Sequence, residues 1–391
     1  MMQAQALYDW APVASLLLLG ALVALGPTAW VWLRHRAAGP APKMQALRVL
    51  TLFLTFDLIL FGAFTRLTDS GLGCPDWPGC YGNTSPLGAG HHIEAAQSVM
   101  PTGPVTHTKA WIEMLHRYLA TGVGALIVVL MLWSWKQWWT QRAAAKAGSV
   151  TVPWPWLPTL TLAWVCLQGA FGALTVTMKL FPAIVTLHLL GALGLLVLLC
   201  IAAVRKDGPV EVRLMPAVTR RLVVWTAALL VLQVALGGWV SSNYAVLACS
   251  DFPTCQGRWW PEMDLRQGFE LWRPLGMTAQ GEVISFAALT AIHFVHRLMA
   301  WVVLTALIVL AWRLNRLWLW RSAARLLAAL IGLQLATGLS NVVLGWPLLA
   351  ALLHTGGAAA LLLLLVWMMT ICPDPATQLL PESAVLTRAR A

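Results

Sequence analysis

Ala183-Ile-Val-Thr-Leu-His188-Leu-Leu-Gly-Ala-Leu-Gly-Leu-Leu-Val-Leu-Leu-Cys200-Ile-Ala-Ala-Val204 runs for 22 residues without an Asp, Glu, Lys or Arg. About 20 apolar residues in a helix cross the hydrocarbon core of a bilayer, so the stretch predicts a spanning helix. Eight further runs read the same way. The nine are about 12–33, 46–64, 111–135, 157–178, 183–204, 219–243, 285–313, 322–344 and 347–371. The chain is 59% hydrophobic and 10% charged, against about 25% charged in soluble domains. Spanning backbone must satisfy its own hydrogen bonds, and no alternating barrel pattern occurs. The expected fold class is all-α integral membrane.

A net charge of +11 would suggest nucleic acid in a soluble protein. Here the basic residues cluster in alternate connections instead. They are Arg34, Arg36, Lys43 and Arg48; Lys136, Arg142 and Lys146; Arg205, Lys206, Arg213, Arg220 and Arg221; Arg313, Arg316, Arg321 and Arg325; and Arg388 with Arg390. Such clusters mark the cytoplasmic side. The N-terminus is then outside and the C-terminus inside, in keeping with an odd number of spans. The first run has no basic segment before it and is followed by Arg34-His-Arg36, so it reads as an uncleaved anchor.

Beyond that first helix the chain reads twice. The first copy has Cys74-Pro-Asp76-Trp-Pro78-Gly-Cys80, Glu113-Met-Leu-His116-Arg117, then Gln168 and, twenty residues on, His188. The second has Cys249-Ser-Asp251-Phe-Pro253-Thr-Cys255, His293-Phe-Val-His296-Arg297, then Gln334 and, again twenty residues on, His354. Residues 1–45 hold the unmatched helix and a basic Gly-Pro linker, 46–204 one copy, 205–371 the other, and 372–391 a cytoplasmic tail. Both copies run in the same orientation, which predicts duplicated four-helix bundles with a pseudo-two-fold relation, plus one extra N-terminal helix.

Imidazoles at membrane depth are functional candidates. In each copy one histidine near the outer end of the second helix can face one near the outer end of the fourth. Two neutral imidazoles supply the axial ligands of a haem iron, whereas zinc wants three or four ligands at one site. Arg117 and Arg297 follow ligand candidates directly and Arg66 ends a helix, so these three are candidates for haem propionates. The alternative is histidine as polar glue between helices. His35, His91, His92 and His107 fall in loops. Positions i and i+3 share a helix face, so Glu113 lies beside the bound group, where it can relay protons or simply complement the helix dipole. The second copy has His293 there, a proton relay, a partner to the groups around the ligand, or a packing residue.

Cys166, Cys200 and Cys372 read as small apolar packers. Cys74, Cys80, Cys249 and Cys255 lie in outer loops of an oxidising compartment. Four cysteines allow three connectivities, of which within-loop pairing is the simplest. A structural clasp and a redox role are both open. Gly122, Gly124 and the Gly237-Gly238 pair permit close helix packing, within one chain or between chains of a homo-oligomer.

Taken together, Glu113-x-x-His116-Arg117, the paired outer-loop cysteines, the His188 and His354 helices and the stretch Gly62-Ala-Phe-Thr-Arg66-Leu-Thr-Asp-Ser-Gly-Leu-Gly-Cys74-Pro-Asp-Trp-Pro-Gly-Cys80 resemble the haem A synthase family, bacterial type. The resemblance covers about 46–371. The family usually has eight helices, so the helix at 12–33 is a departure. The resemblance implies oxidation of a ring methyl of haem O to the formyl group of haem A, for cytochrome oxidase, in the bacterial inner membrane. It implies that His116 and His188 bind the substrate haem and that His296 and His354 bind a haem B cofactor. Glu113 becomes the proton-handling residue, and Cys74–Cys80 and Cys249–Cys255 the two disulfides. A haem held on both faces has no open site for dioxygen. Either one ligand leaves, or the methyl loses electrons and protons and water supplies the oxygen. Haem O synthase and cytochrome oxidase assembly factors are the implied partners, with membrane lipid around the chain. The rival readings are a dihaem electron-transfer cytochrome b and a haem transporter or chaperone.

Overall fold

The computed structural model describes residues 11–144, 154–205 and 212–372. The segments 145–153 and 206–211 and the tail from 373 lie outside the described residues. Lys146, Lys206, Arg388 and Arg390 of the charge argument therefore lie outside them as well.

The described residues are helical, with three isolated bridges in loops. In order they form α1 (Ala11–Arg34), α2 (Pro40–Leu67), α3 (Gly90–Val99), α4 (His107–Ala144), α5 (Trp156–Thr177), α6 (Pro182–Val204), α7 (Ala217–Ser242), α8 (Leu265–Gly268), α9 (Phe286–Asn315), α10 (Arg321–Val343) and α11 (Leu348–Ile371). Among them nine are long and apolar enough to cross a membrane: all but α3 and α8. These match the nine runs expected from sequence, so the chain is a multi-pass membrane protein.

α2 (28 residues) and α4 outgrow their expected spans of 46–64 and 111–135. α4 has 38 residues, about 57 Å at ~1.5 Å per residue, well beyond a core of about 30 Å. Hydropathy registers only the stretch in hydrocarbon. The polar ends His107-Thr-Lys109 and Lys136 onward continue the same helix into the interfaces. Proline begins α2 and α6, where its fixed φ suits the first helical turn and its missing N–H costs nothing. His91 and His92, expected in a loop, lie on α3, where the His92 ring stacks on Tyr81. His107 is the first residue of α4.

Packing closes two rings. α2 packs on α4, α4 on α5, α5 on α6 and α6 on α2. α7 packs on α9, α9 on α10, α10 on α11 and α11 on α7. The rings meet through α6 with α7, α11 with α2, and α6 with α11. A core including Leu193, Leu196, Leu230, Leu307, Leu361 and Leu365 fills the seam. α1 lies outside both rings, against α4 and α2. Gly20 abuts Thr121, and a Cβ on Gly122 would stand 2.9 Å from Val23. Gly238 packs on Leu189 and Thr186 of α6. Here, then, Gly122 and Gly238 serve packing within one chain, while no neighbour comes within 4 Å of a Cβ on Gly124.

Candidate functional site

The two cysteine loops lie over the helix ends that carry the histidines, and they are built alike. Cys74 bonds to Cys80 and Cys249 to Cys255, the simplest of the pairings considered. Within each loop an aspartate braces the turn. Asp76 accepts from the backbone N–H groups of Tyr81 (2.6 Å) and Gly82 (2.8 Å). Asp251 accepts from those of Gln256 (2.6 Å) and Gly257 (3.0 Å). Gly82 and Gly257 have φ of 71° and 69°, the left-handed region that glycine enters without steric cost. The Thr254 hydroxyl and the Gly257 and Gln256 amides together hold the Asp251 carboxyl down to about 2.

Each loop is clamped to the helix beneath it by an arginine. Arg117 on α4 donates to the carbonyls of Asp76 (3.0 Å), Pro78 (3.2 Å) and Gly79 (2.6 Å). Arg297 on α9 donates to those of Asp251 (2.8 Å), Thr254 (3.0 Å) and Cys249 (2.5 Å). One turn before each arginine the two clamps differ. Glu113, 4% exposed, accepts from the Cys74 N–H at 2.7 Å and pairs with Arg117 at 2.5 Å. At the other clamp the Arg297 Nε–H meets His293 Nε2 at 3.3 Å.

Beneath the clamps lies an apolar cavity of about 1450 Å³, lined by all four ligand-candidate histidines. His116 and His188 stand on α4 and α6 of one ring, and His296 and His354 on α9 and α11 of the other. Each imidazole edge rests on a glycine of a neighbouring helix. A Cβ there would stand 3.0 Å from His116 at Gly62, 3.5 Å from His188 at Gly172, 3.0 Å from His296 at Gly237 and 3.2 Å from His354 at Gly338. The glycines fall at matching places, with 175 residues from Gly62 to Gly237 and 166 from Gly172 to Gly338. His188 Nδ1 is buried without a hydrogen-bond partner. Two imidazoles per pair and apolar walls fit a porphyrin iron. Among the described residues no three His, Cys, Asp or Glu side chains converge as a site for a bare ion.

Arg66, Arg117 and Arg297 all line the cavity, yet their hydrogen bonds go to protein. Arg117 and Arg297 are occupied by the loop carbonyls. Arg66 donates to Asp69 at 3.2 Å and to the Ser241 carbonyl at 2.5 Å, and lies over the Tyr244 ring. Glu113 sits beyond the first turn of α4, which holds no acidic residue, so the dipole explanation does not apply. Cys166 is exposed and lines the cavity rather than packing; Cys200 and Cys372 are buried. Sequence reasoning missed Gln233, 3.1 Å from His296 Nδ1, and Thr337, 3.0 Å from His354 Nδ1. Their signal was positional: Gln233 lies one turn before Gly237, and Thr337 directly precedes Gly338.

The profile of the cytochrome oxidase assembly protein family COX15-CtaA matches residues 45–366. The chain belongs to this family. The COX15-CtaA match takes in both clamps and all four histidines and leaves α1 outside. Relatives named "Heme A synthase" include those of Shewanella oneidensis, 39% identical over 81% of this chain and 93% of its own length, and Methylobacterium sp. strain 4-46, 30% identical over 85% and 92%. That of Halalkalibacterium halodurans is 28% identical over 76% and 86%.

Proposed function

We propose that this member of the COX15-CtaA family is a haem A synthase, an oxidoreductase that converts a ring methyl of haem O to the formyl group of haem A. The observation that carries the reading is the lining of one cavity by two equivalent imidazole pairs, in a chain whose relatives bear that name. In this reading the two helix rings are copies of one four-helix bundle, residues 46–204 and 205–371, related by a pseudo-two-fold axis along the membrane normal. His116 and His188 hold substrate haem O. His296 and His354 hold haem B, which supplies one-electron redox chemistry when bound.

Replacing two methyl hydrogens by a carbonyl oxygen from water releases four electrons and four protons. Glu113 borders the cavity beside His116 and is the side chain assigned to receive protons. Arg117 balances its charge and fixes its direction. Arg66, with N–H groups left over after Asp69 and Ser241, is the propionate partner; Arg117 and Arg297 act as loop clamps. The paired disulfides suit an oxidising compartment, so the clamped end faces the periplasm of the inner membrane and the C-terminus faces the cytoplasm. Haem O synthase is the natural donor, because an insoluble substrate must be handed over within the lipid. Cytochrome oxidase assembly factors are the natural receivers.

The test is pigment extraction from membranes of cells that co-express the chain with a source of haem O. Haem A or its hydroxylated precursor is expected. Unmodified haem alone would make the chain a dihaem cytochrome or carrier. Retention of haem B by a protein carrying both His296→Ala and His354→Ala would overturn the cofactor assignment.

A further inference from the structure

The two histidine pairs differ in what stands behind them. The Thr337 hydroxyl donates to the Leu333 carbonyl at 2.7 Å, so the lone pair it turns to His354, 3.0 Å away, receives Nδ1–H. That leaves Nε2 of His354 free to ligate. Gln233 reaches both Nδ1 and the carbonyl of His296 at 3.1 Å, and its Oε1 is buried without a partner. As placed, it is the carboxamide Nε2 that meets both, donating to the carbonyl; a half-turn would bring Oε1 to Nδ1–H and give up that carbonyl bond. Such partners of a metal-bound imidazole fix its tautomer and plane and raise its basicity.

The first half lacks both. Gly62 to Gly237 spans 175 residues, and the same step leads from Leu58 to Gln233. Gly172 to Gly338 spans 166, and the same step leads from Phe171 to Thr337. Leu58 and Phe171 have no hydrogen-bonding side-chain group. His188 Nδ1 is buried unpaired, and His116 lies flat against Phe61, centroids 6.2 Å apart at 6°.

We propose that Gln233 and Thr337 are positioning residues that make the His296/His354 site a retaining site, and that Leu58 and Phe171 leave the His116/His188 site an exchanging one. This deepens the reading above and rests on it. A resident redox group must stay, whereas a substrate must enter, turn over and leave. One fold gives both behaviours by adding or omitting two hydrogen-bond acceptors behind the ligands.

The test uses full-length chains with one pair left intact: His116→Ala/His188→Ala for the second site, and His296→Ala/His354→Ala for the first. Each is loaded with haemin in detergent and mixed with apomyoglobin, and transfer is followed by absorbance. The second site should release haemin about 10-fold or more slowly than the first, the scale on which outer-shell partners act. Gln233→Leu and Thr337→Val should speed its release and move its reduction potential positive, because each lost acceptor weakens imidazole donation. Thr337→Ser, which keeps the hydroxyl, should restore both. Leu58→Gln with Phe171→Thr should slow release from the first site. Equal rates from the two sites, or a second-site rate and potential unmoved by Gln233→Leu and Thr337→Val, would overturn the proposal. A second-site protein that takes up no haemin would overturn the porphyrin assignment itself, and this proposal with it.

Discussion

Arg117→Ala and Arg297→Ala form a controlled pair. Each removes one guanidinium that clamps a disulfide loop, and each frees three backbone carbonyls. The difference lies one turn back. Arg117→Ala strands the buried Glu113 carboxylate, to which the Cys74 amide still donates. Arg297→Ala strands only the imidazole of His293. Breaking one side of a buried ion pair costs about 3–5 kcal/mol, while leaving buried polar groups unpaired costs about 1–3 kcal/mol. Arg117→Ala should therefore be the more destabilising by about 2 kcal/mol. Adding Glu113→Gln to Arg117→Ala should recover most of that gap. Denaturant unfolding of the three variants in one detergent gives the values. Equal losses for the two arginine variants, or no recovery in the double variant, would refute the claim that Glu113 is a charge held by Arg117.

Glu113→Gln alone should lower haem A formation by about 100-fold or more while haem content stays near wild type, both read from extracted pigment. Gly338→Val should displace His354 and deplete haem from the second pair. Gly332→Ala on the same helix, where a Cβ meets nothing within 4 Å, should leave the haem-to-protein ratio unchanged. The Asp251 carboxyl titrates at about 2 when folded, below an unfolded value of about 3.9. Its contribution is thus complete at neutral pH and is lost as pH falls from about 4 toward about 2. Pepsin should begin to nick the 249–255 loop over that window, and Asp251→Asn should be nicked already at its upper end.

The spans were legible because hydrocarbon imposes a length and a composition that residues 183–204 display without interruption. The histidine pairs were legible because the chain states them twice. Helix ends were not, since the polar termini of α4 carry no hydropathy signal. The clamps were hidden for another reason. Arg117 meets carbonyls some 40 residues back along the chain, and a main-chain acceptor has no letter in a sequence. Hence the sequence suggested propionates for Arg117 and Arg297 and gave no sign of the loop carbonyls that the structure sets against them. Gln233 and Thr337 were passed over because a lone amide and a lone hydroxyl in apolar helices look like incidental polarity until the rings beside them are seen.

Two contacts at the junction of the halves have a consequence for how such a molecule can be built. Arg66 meets the Ser241 carbonyl, and Tyr244 meets Asp69 at 2.7 Å; each links positions 175 apart in the chain. In an assembly of two identical subunits, residues astride the dyad face their own copies. Guanidinium would oppose guanidinium there, and carboxylate would oppose carboxylate. In the duplicated arrangement proposed above, joining both halves in one polypeptide lifts that restriction, so a cation can stand opposite a carbonyl and an acid opposite a phenol. The same freedom lets one half evolve without obliging the other to follow.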